Sequence, residues 1–212
     1  EKNPNLAFNI NCGIVKNIVD CLIDSKTHLI QVSTDQVYEG DGPHKEFSTN
    51  PCNVYSRTKY QAELIADKVS STILRTNFVG KSHKKDYLSF SDWVIESSLN
   101  KNEITLFQDV LFSPLSISTL SDLITKVCKF RINGVFNIGS KDFLSKADFG
   151  KKLIQKVGLN LDNINFGNLN DVELYAKRPK DMSLNSDLFL STFNLDLPTI
   201  DQTIEIISQD YF

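Results

Sequence analysis

The stretch His28-Leu-Ile-Gln-Val-Ser-Thr-Asp-Gln-Val-Tyr38, followed by Tyr55-Ser-Arg-Thr-Lys59 and then by Ser71-Thr-Ile-Leu-Arg-Thr76, decides the fold. Residues 28–33 form a short apolar run bounded by polar residues, the pattern of a buried strand. Gly40, Gly42 and Pro43 mark the loop after it. From Tyr55 to about Val69 the side chains of Ala62, Ile65, Ala66 and Val69 recur at helical spacing and are expected to face inward, and Ser71–Thr76 reads as a second strand. Upstream, Ala7, Ile10, Ile14, Ile18 and Cys21 follow one another at helical spacing, behind a Pro4 that a first turn tolerates, and read as an amphipathic helix. Helix, strand, helix and strand, joined by connections too long for hairpins, predict a parallel sheet covered by helices. Such sheets bind ligands beyond the carboxyl ends of their strands, which here end in polar residues.

Beyond Gly80 the periodicity weakens. Leu88–Leu99 reads as a helix and Glu103–Phe107 as a short strand. Three later helices are announced by capping pairs: Thr119 with Asp122, Ser145 with Asp148, and Thr199 with Gln202. Between the first two, Gly134-Val-Phe-Asn-Ile-Gly139 reads as another strand. The expected class is α/β: a partial doubly wound parallel sheet, Rossmann-like, over residues 1–80, then a small C-terminal α/β substrate lobe over 81–212, with some segments returning to the first domain. A dinucleotide-binding fold normally opens on strand, glycine-rich turn and helix. This sequence opens on a helix and contains no GxGxxG or GxxGxxG. Its first strands are therefore expected in a preceding segment of roughly 60–80 residues, since strong parallel strands need covered neighbours.

The 212 residues suffice for one large domain or a domain with a smaller lobe. With 41% hydrophobic and 23% charged residues the composition is that of a globular protein, and a net charge of −3 gives no global attraction to nucleic acid or an anionic membrane. An anionic substrate must be held by local basic residues. Cys12, Cys21, Cys52 and Cys128 contain no CxxC pair and read as reduced, mostly buried thiols. His28, His44 and His83 form no ligand pattern, so no metal is expected. No apolar run approaches the ~18 residues of a membrane span, and neither a signal peptide nor an Asn-x-Ser/Thr site is present. A cytoplasmic location, with neither nucleic acid nor membrane as partner, is the expectation.

Tyr55 and Lys59 stand at i and i+4, one above the other on a helix face. A free tyrosine, with a pKa of about 10, is a poor acid or base at neutral pH. A neighbouring lysine stabilises the phenolate and brings the pair into the range where it exchanges a proton with a carbonyl or carbinol oxygen. The same spacing also fits a tyrosine packed on a lysine stem, so context decides. Thr34, at the end of the first predicted strand, places a hydroxyl where it can face a bound substrate.

In order, Ser33-Thr-Asp-Gln-Val-Tyr-Glu-Gly40, Tyr55-Ser-Arg-Thr-Lys59 and Arg75-Thr-Asn-Phe-Val-Gly80 resemble the extended short-chain dehydrogenase/reductase superfamily, and within it the dTDP-4-dehydrorhamnose reductase family. Ala7-Phe-Asn-Ile-Asn11 resembles the helix that opens after that family's Asn-Cys-Ala-Ala turn. Gln108-Asp109, Ser113-Pro114, Gly134-Val-Phe-Asn137, Arg178-Pro179 and Leu197-Pro198 fall where its C-terminal landmarks stand. The resemblance implies reduction of a 4-keto-6-deoxy nucleotide sugar with NADPH or NADH. It assigns Thr34 to polarise the carbonyl, Tyr55 to deliver the proton, and Lys59 to lower the pKa of Tyr55 and hold the nicotinamide ribose. Asn11, Ser33, Thr76 and Asn77 are implied near the cofactor, Asp35, Val37 and Phe78 along the sugar, and Arg178 on the nucleotide diphosphate, where a planar bidentate cation suits phosphate oxygens. Arg178 also reads as a solvated surface charge.

Two departures bear on substrate. Nucleotide-sugar 4,6-dehydratases resemble the same run but carry a glutamate base where Gln36 stands, and an amide takes no proton, which argues against dehydration. Phe78 replaces a tryptophan, keeping an aromatic face without the indole donor. Both imply a somewhat different sugar. Lys81-Ser-His-Lys-Lys85 reads as a solvated loop with phosphate holding as its second reading, and Trp93 as helix packing. Other members of the superfamily are nucleotide-sugar epimerases, and the β subunit of methionine adenosyltransferase resembles the same family without turnover, so an epimerase and a non-catalytic regulatory subunit stand as alternatives. A homodimer is compatible with each.

Overall fold

The computed structural model describes residues 1–82 and 87–211. In chain order the elements are α1 (Pro4–Phe8), a π-helical segment (Asn9–Gly13), α2 (Ile14–Leu22), β1 (Leu29–Val32), a 3-10 turn (Asp35–Val37), α3 (Val54–Ala66), β2 (Ser71–Thr76), β3 (Phe78–Val79), α4 (Phe90–Leu99), β4 (Ile104–Phe107), β5 (Leu111–Phe112), β6 (Leu115–Ser116), α5 (Ile117–Val127), β7 (Gly134–Ile138), β8 (Leu144–Ser145), α6 (Lys146–Lys156), β9 (Ile164–Gly167), β10 (Asp181–Met182), α7 (Asp187–Phe193) and α8 (Ile200–Ser208).

Strands β1, β2 and β7 make one parallel sheet in that order, with Val32 beside Leu74 and Leu74 beside Phe136. The two-residue period of the strands divides its side chains between two layers. Ile73, with Leu29 and Val135, packs under Val15 and Val19 of α2 and Ala62 and Ala66 of α3. Leu74, Phe136 and Ile138 face the other way, onto Leu120, Leu123 and Val127 of α5 and Phe189 and Phe193 of α7. The sheet is covered on both faces, as parallel strands require, and the fold is the expected Rossmann-like α/β class. Its third strand comes from residues 134–138, far beyond Gly80.

The shorter pairs β3–β6 and β4–β9 are parallel, and β5 lies between β10 and an antiparallel β8. Phe112 and Phe149 centre the cluster that joins these strands to α4, α6 and α8. A Cβ at Gly150 would sit 2.5 Å from Leu106 Cδ1, so glycine lets α6 close onto β4.

Several local expectations change. Ile10, Ile14 and Ile18, which carried the amphipathic reading, are exposed, whereas Cys12, Val15 and Val19 are buried. Both faces of this helix are apolar, so periodicity alone could not choose the inner one. α5 is capped by Ser116, whose hydroxyl accepts from Thr119 N at 3.0 Å; Thr119 is the third residue of the helix rather than its cap. The caps at Ser145 and Thr199 form as read. All four cysteines are free, but only Cys12 is buried; Cys21 and Cys128 are exposed. His83, Lys84 and Lys85 of the basic run lie outside the described residues. Among the described residues no helix is long and apolar enough to cross a membrane, and no cluster of His, Cys, Asp or Glu is arranged to hold a metal.

Candidate active site

The carboxyl end of β1 gathers three of the expected groups. After Val32 the chain turns, and Thr34 caps the 3-10 turn by accepting from Gln36 N at 3.2 Å. That bond fixes the Thr34 oxygen at the sheet's edge. Opposite it, α3 starts in a capping box: Asn53 Oδ1 accepts from Ser56 N at 2.8 Å, and Ser56 Oγ accepts from Asn53 N at 3.1 Å. Tyr55 therefore stands in the first turn of α3 and Lys59 one turn on. Lys59 Nζ donates to Val32 O at 2.8 Å, tying the helix to the last residue of β1. The Tyr55 phenol comes within hydrogen-bonding reach of Thr34 while its ring stays substantially exposed.

The electrostatics differ from the simple phenol–ammonium couple. Burial raises the Tyr55 pKa; the hydrogen bond with Thr34 works against this, and the charges of Asp35 and Tyr87 add to it. Lys59 does not act on the phenol, because its ammonium is turned to the Val32 carbonyl. Burial lowers the Lys59 pKa, opposed by Glu63 and Cys12. The expected depression of the Tyr55 pKa by Lys59 is thus not what this arrangement produces: at neutral pH Tyr55 is a phenol with a proton to give.

Asp35 lies behind Thr34, only 1% exposed. It accepts from Thr34 Oγ1 at 3.3 Å and from Asn77 Nδ2 at 2.7 Å. Burial nevertheless pushes its pKa up to about 6, with Asn77, Lys146 and Thr34 pulling the other way. Next to this group opens a cavity of about 580 Å³, whose lining includes Gln36, Asn77, Trp93, Lys146, Arg178 and Met182. Arg178 is exposed at its rim and also lines a neighbouring cleft with Lys177 and Lys180. Trp93, read as packing, both packs beside Val94 and Ile104 and lines the cavity.

The remaining expectations divide. Val37 has no exposed surface and packs with Tyr38 and Leu184, so its side chain is core and cannot line the sugar site. Ser33 is buried and donates its hydroxyl to Glu63, which removes it from the cofactor face. Thr76 is buried, its hydroxyl turned to Asn77 O at 3.3 Å. Asn77 is committed to Asp35 and faces the cavity. Phe78 is half exposed on β3, outside the lining of the cavity. Asn11 sits in the π-helical segment and donates to Thr58 Oγ1 at 2.9 Å, against the turn that bears Tyr55 and Lys59.

Sequence reasoning missed Lys146. Its signal was a lysine directly after the Ser145 cap, at the first position of a helix, where the macrodipole disfavours a cation.

The family described as RmlD substrate binding domain matches residues 1–211 of this chain. A probable low-salt glycan biosynthesis reductase of Haloferax volcanii is 24% identical over 221 residues, covering 100% of this chain and 74% of that protein. The dTDP-4-dehydrorhamnose reductase of Sinorhizobium fredii is 24% identical over 222 residues, covering 96% and 73% of the two. Among solved structures, the dTDP-4-dehydrorhamnose reductase of Bacillus anthracis in complex with NADP superposes with a TM-score of 0.87 at 25% identity, over 99% of this chain and 75% of that one.

Proposed function

The chain belongs to the RmlD substrate binding domain family, and from that premise we propose that the protein reduces the 4-keto group of a 4-keto-6-deoxy sugar nucleotide of the dTDP-4-dehydrorhamnose kind. The observation that carries this reading is the meeting of the Thr34 hydroxyl, the Tyr55 phenol and the Lys59 ammonium at one strand end, beside a cavity. Thr34 and Tyr55 hold the carbonyl oxygen between two hydroxyls. Tyr55, kept protonated by burial and by the Asp35 charge, transfers its proton to that oxygen as the carbonyl carbon becomes a carbinol carbon. Gln36 at the cavity has no basic function, which leaves reduction without elimination.

A nicotinamide cofactor, NADPH or NADH, supplies the hydride. The residues present fit its ribose: Lys59 spends one of three N–H donors on Val32 and keeps the others. The NADP held by the Bacillus anthracis relative supports the phosphorylated form. In this reading residues 1–80 carry the cofactor-facing groups and 81–212 mainly the substrate lobe, with Arg178 on the diphosphate. Its partner is the nucleotide sugar, without nucleic acid or membrane, in the cytoplasm, and a homodimer is compatible with this reading.

The test is turnover of dTDP-4-dehydrorhamnose by the full-length protein, followed by NADPH consumption. Tyr55→Phe keeps the ring and removes the proton, and should lower kcat by about 10²–10⁴-fold with binding of dTDP-rhamnose retained. A wild-type rate in that variant removes Tyr55 from the chemistry.

A further inference from the structure

Lys146 occupies a place that works against a cation three times over. It is the first residue of α6, at the positive end of the helix dipole. Its side chain is half-buried, and the Arg178 guanidinium repels it. Burial, then Arg178, take its pKa down to about 8, against the pull of Asp35. No acidic side chain compensates directly: among the described residues no hydrogen bond or ion pair ends on its ammonium. What holds it is aromatic. Nζ lies 3.8 Å from the ring centroid of Phe112 and 4.2 Å from that of Phe90, a cation on two π faces at the wall of the cavity. An ammonium kept where folding alone disfavours it, on two rings at the wall of a cavity, is poised for a ligand.

The neighbours say which part of a ligand. Asp35, one residue from Thr34, marks the end of the cavity where the reacting sugar lies, and its buried carboxylate repels phosphate. Arg178 stands at the outer rim, suited to a diphosphate. A neutral sugar hydroxyl accepts from the Lys146 ammonium that lines this end and meets no such repulsion from the carboxylate behind it. We propose that Lys146 is a specificity-determining residue, its ammonium on Phe90 and Phe112 donating to a hydroxyl of the substrate's sugar ring. The proposal rests on the nucleotide-sugar reading and deepens it: this end of the cavity demands the ring hydroxyl that meets Lys146 and rejects a sugar that lacks it.

Calorimetric titration of the full-length protein with dTDP-rhamnose and with dTDP alone separates the roles. Lys146→Met keeps the stem on the two rings and removes the charge and donors. Its affinity for dTDP-rhamnose should fall about 10–100-fold, while its affinity for dTDP stays within about 3-fold of wild type. Lys146→Arg should restore part of the loss. An equal loss on both ligands makes Lys146 a diphosphate contact, and no loss on either makes it packing; each overturns the proposal. If Lys146→Met does not fold, Lys146→Gln carries the same comparison. Turnover assayed in parallel keeps the two claims apart. A sugar-dependent loss in a protein that never reduces the keto sugar removes the reductase reading and keeps Lys146. Turnover without a sugar-dependent loss does the reverse, and a wild type that binds neither nucleotide overturns both.

Discussion

Asp35 is ionised at neutral pH inside the protein, where burial disfavours its charge. Its unfolded pKa is near 3.8 and its folded pKa about 6. Between those values the folded chain binds a proton that the unfolded chain has released, so stability falls as pH rises through that window and stays flat above it. The Lys146 charge is constant across the window, since its own pKa is about 8. Asp35→Asn keeps a partner for Asn77 Nδ2 and turns an amide donor to the Thr34 oxygen, without a buried charge. It should be more stable than wild type above pH 6, by an amount on the order of a few kcal/mol, and so unfold at a higher temperature, and the advantage should vanish near pH 4. Thermal melts at both ends of the window check this. An advantage that does not change with pH would mean that the carboxylate is not strained by burial. The same variant should lose activity, because Thr34 would then accept from residue 35 instead of donating to it.

At the scale of elements, α3, which carries the candidate groups Tyr55 and Lys59, is held to the sheet by a buried ion pair. Arg75 on β2 donates to Glu63 Oε2 of α3 through Nε at 3.0 Å and Nη2 at 2.6 Å, and through Nη1 to Tyr38 Oη at 2.9 Å. Tyr38 in turn donates to Asn137 Oδ1 of β7 at 2.6 Å, so one network joins α3, β2, β7 and the turn that follows β1. Arg75→Met strands the Glu63 charge and should cost about 3–5 kcal/mol in urea unfolding, whereas adding Glu63→Leu should recover part of it, since the pair's desolvation cost disappears with its attraction. A double variant as unstable as the single would mean that the hydrogen-bond network, not the stranded charge, sets the cost. Arg75 was legible only as part of the Arg75-Thr-Asn-Phe run, because nothing local distinguishes a buried arginine from a solvated one. Elements with their own period were legible for a physical reason: α3, β2 and β7 expose a repeating pattern to a layered core. β3, β5, β6, β8 and β10 are two residues each and have no period to read. Of the candidate site, Thr34, Tyr55 and Lys59 were legible only through the ordered set of motifs and the resemblance it carries, since helical spacing alone fits a tyrosine packed on a lysine stem equally well. Val37 was misread because in so short a turn burial is set by Tyr38 and Leu184, and Lys146 was missed because only packing carries residue 146 back to the end of β1.

On the scale of the whole molecule, the groups assigned to sugar and ribose are present together, and these 212 residues contain no glycine-rich turn of the dinucleotide-binding kind. Dinucleotide affinity depends on a glycine-rich turn that lets pyrophosphate approach a free helix N-terminus. Of the 9 glycines none falls in that pattern. The helix at the carboxyl end of β1 offers no substitute, because its capping box already engages the amides of Asn53 and Ser56. Lys59 and Tyr55 remain as donors for a ribose, and two such contacts do not offset the loss of translational freedom on binding. The 212-residue polypeptide titrated with NADPH should therefore show no saturation in the micromolar range, while dTDP-rhamnose, for which Lys146 and Arg178 line a cavity, should still bind measurably. Fluorescence titration of the reduced nicotinamide decides the matter. Sub-micromolar affinity for NADPH would place a phosphate cradle among these residues and move the cofactor site away from the end of β1.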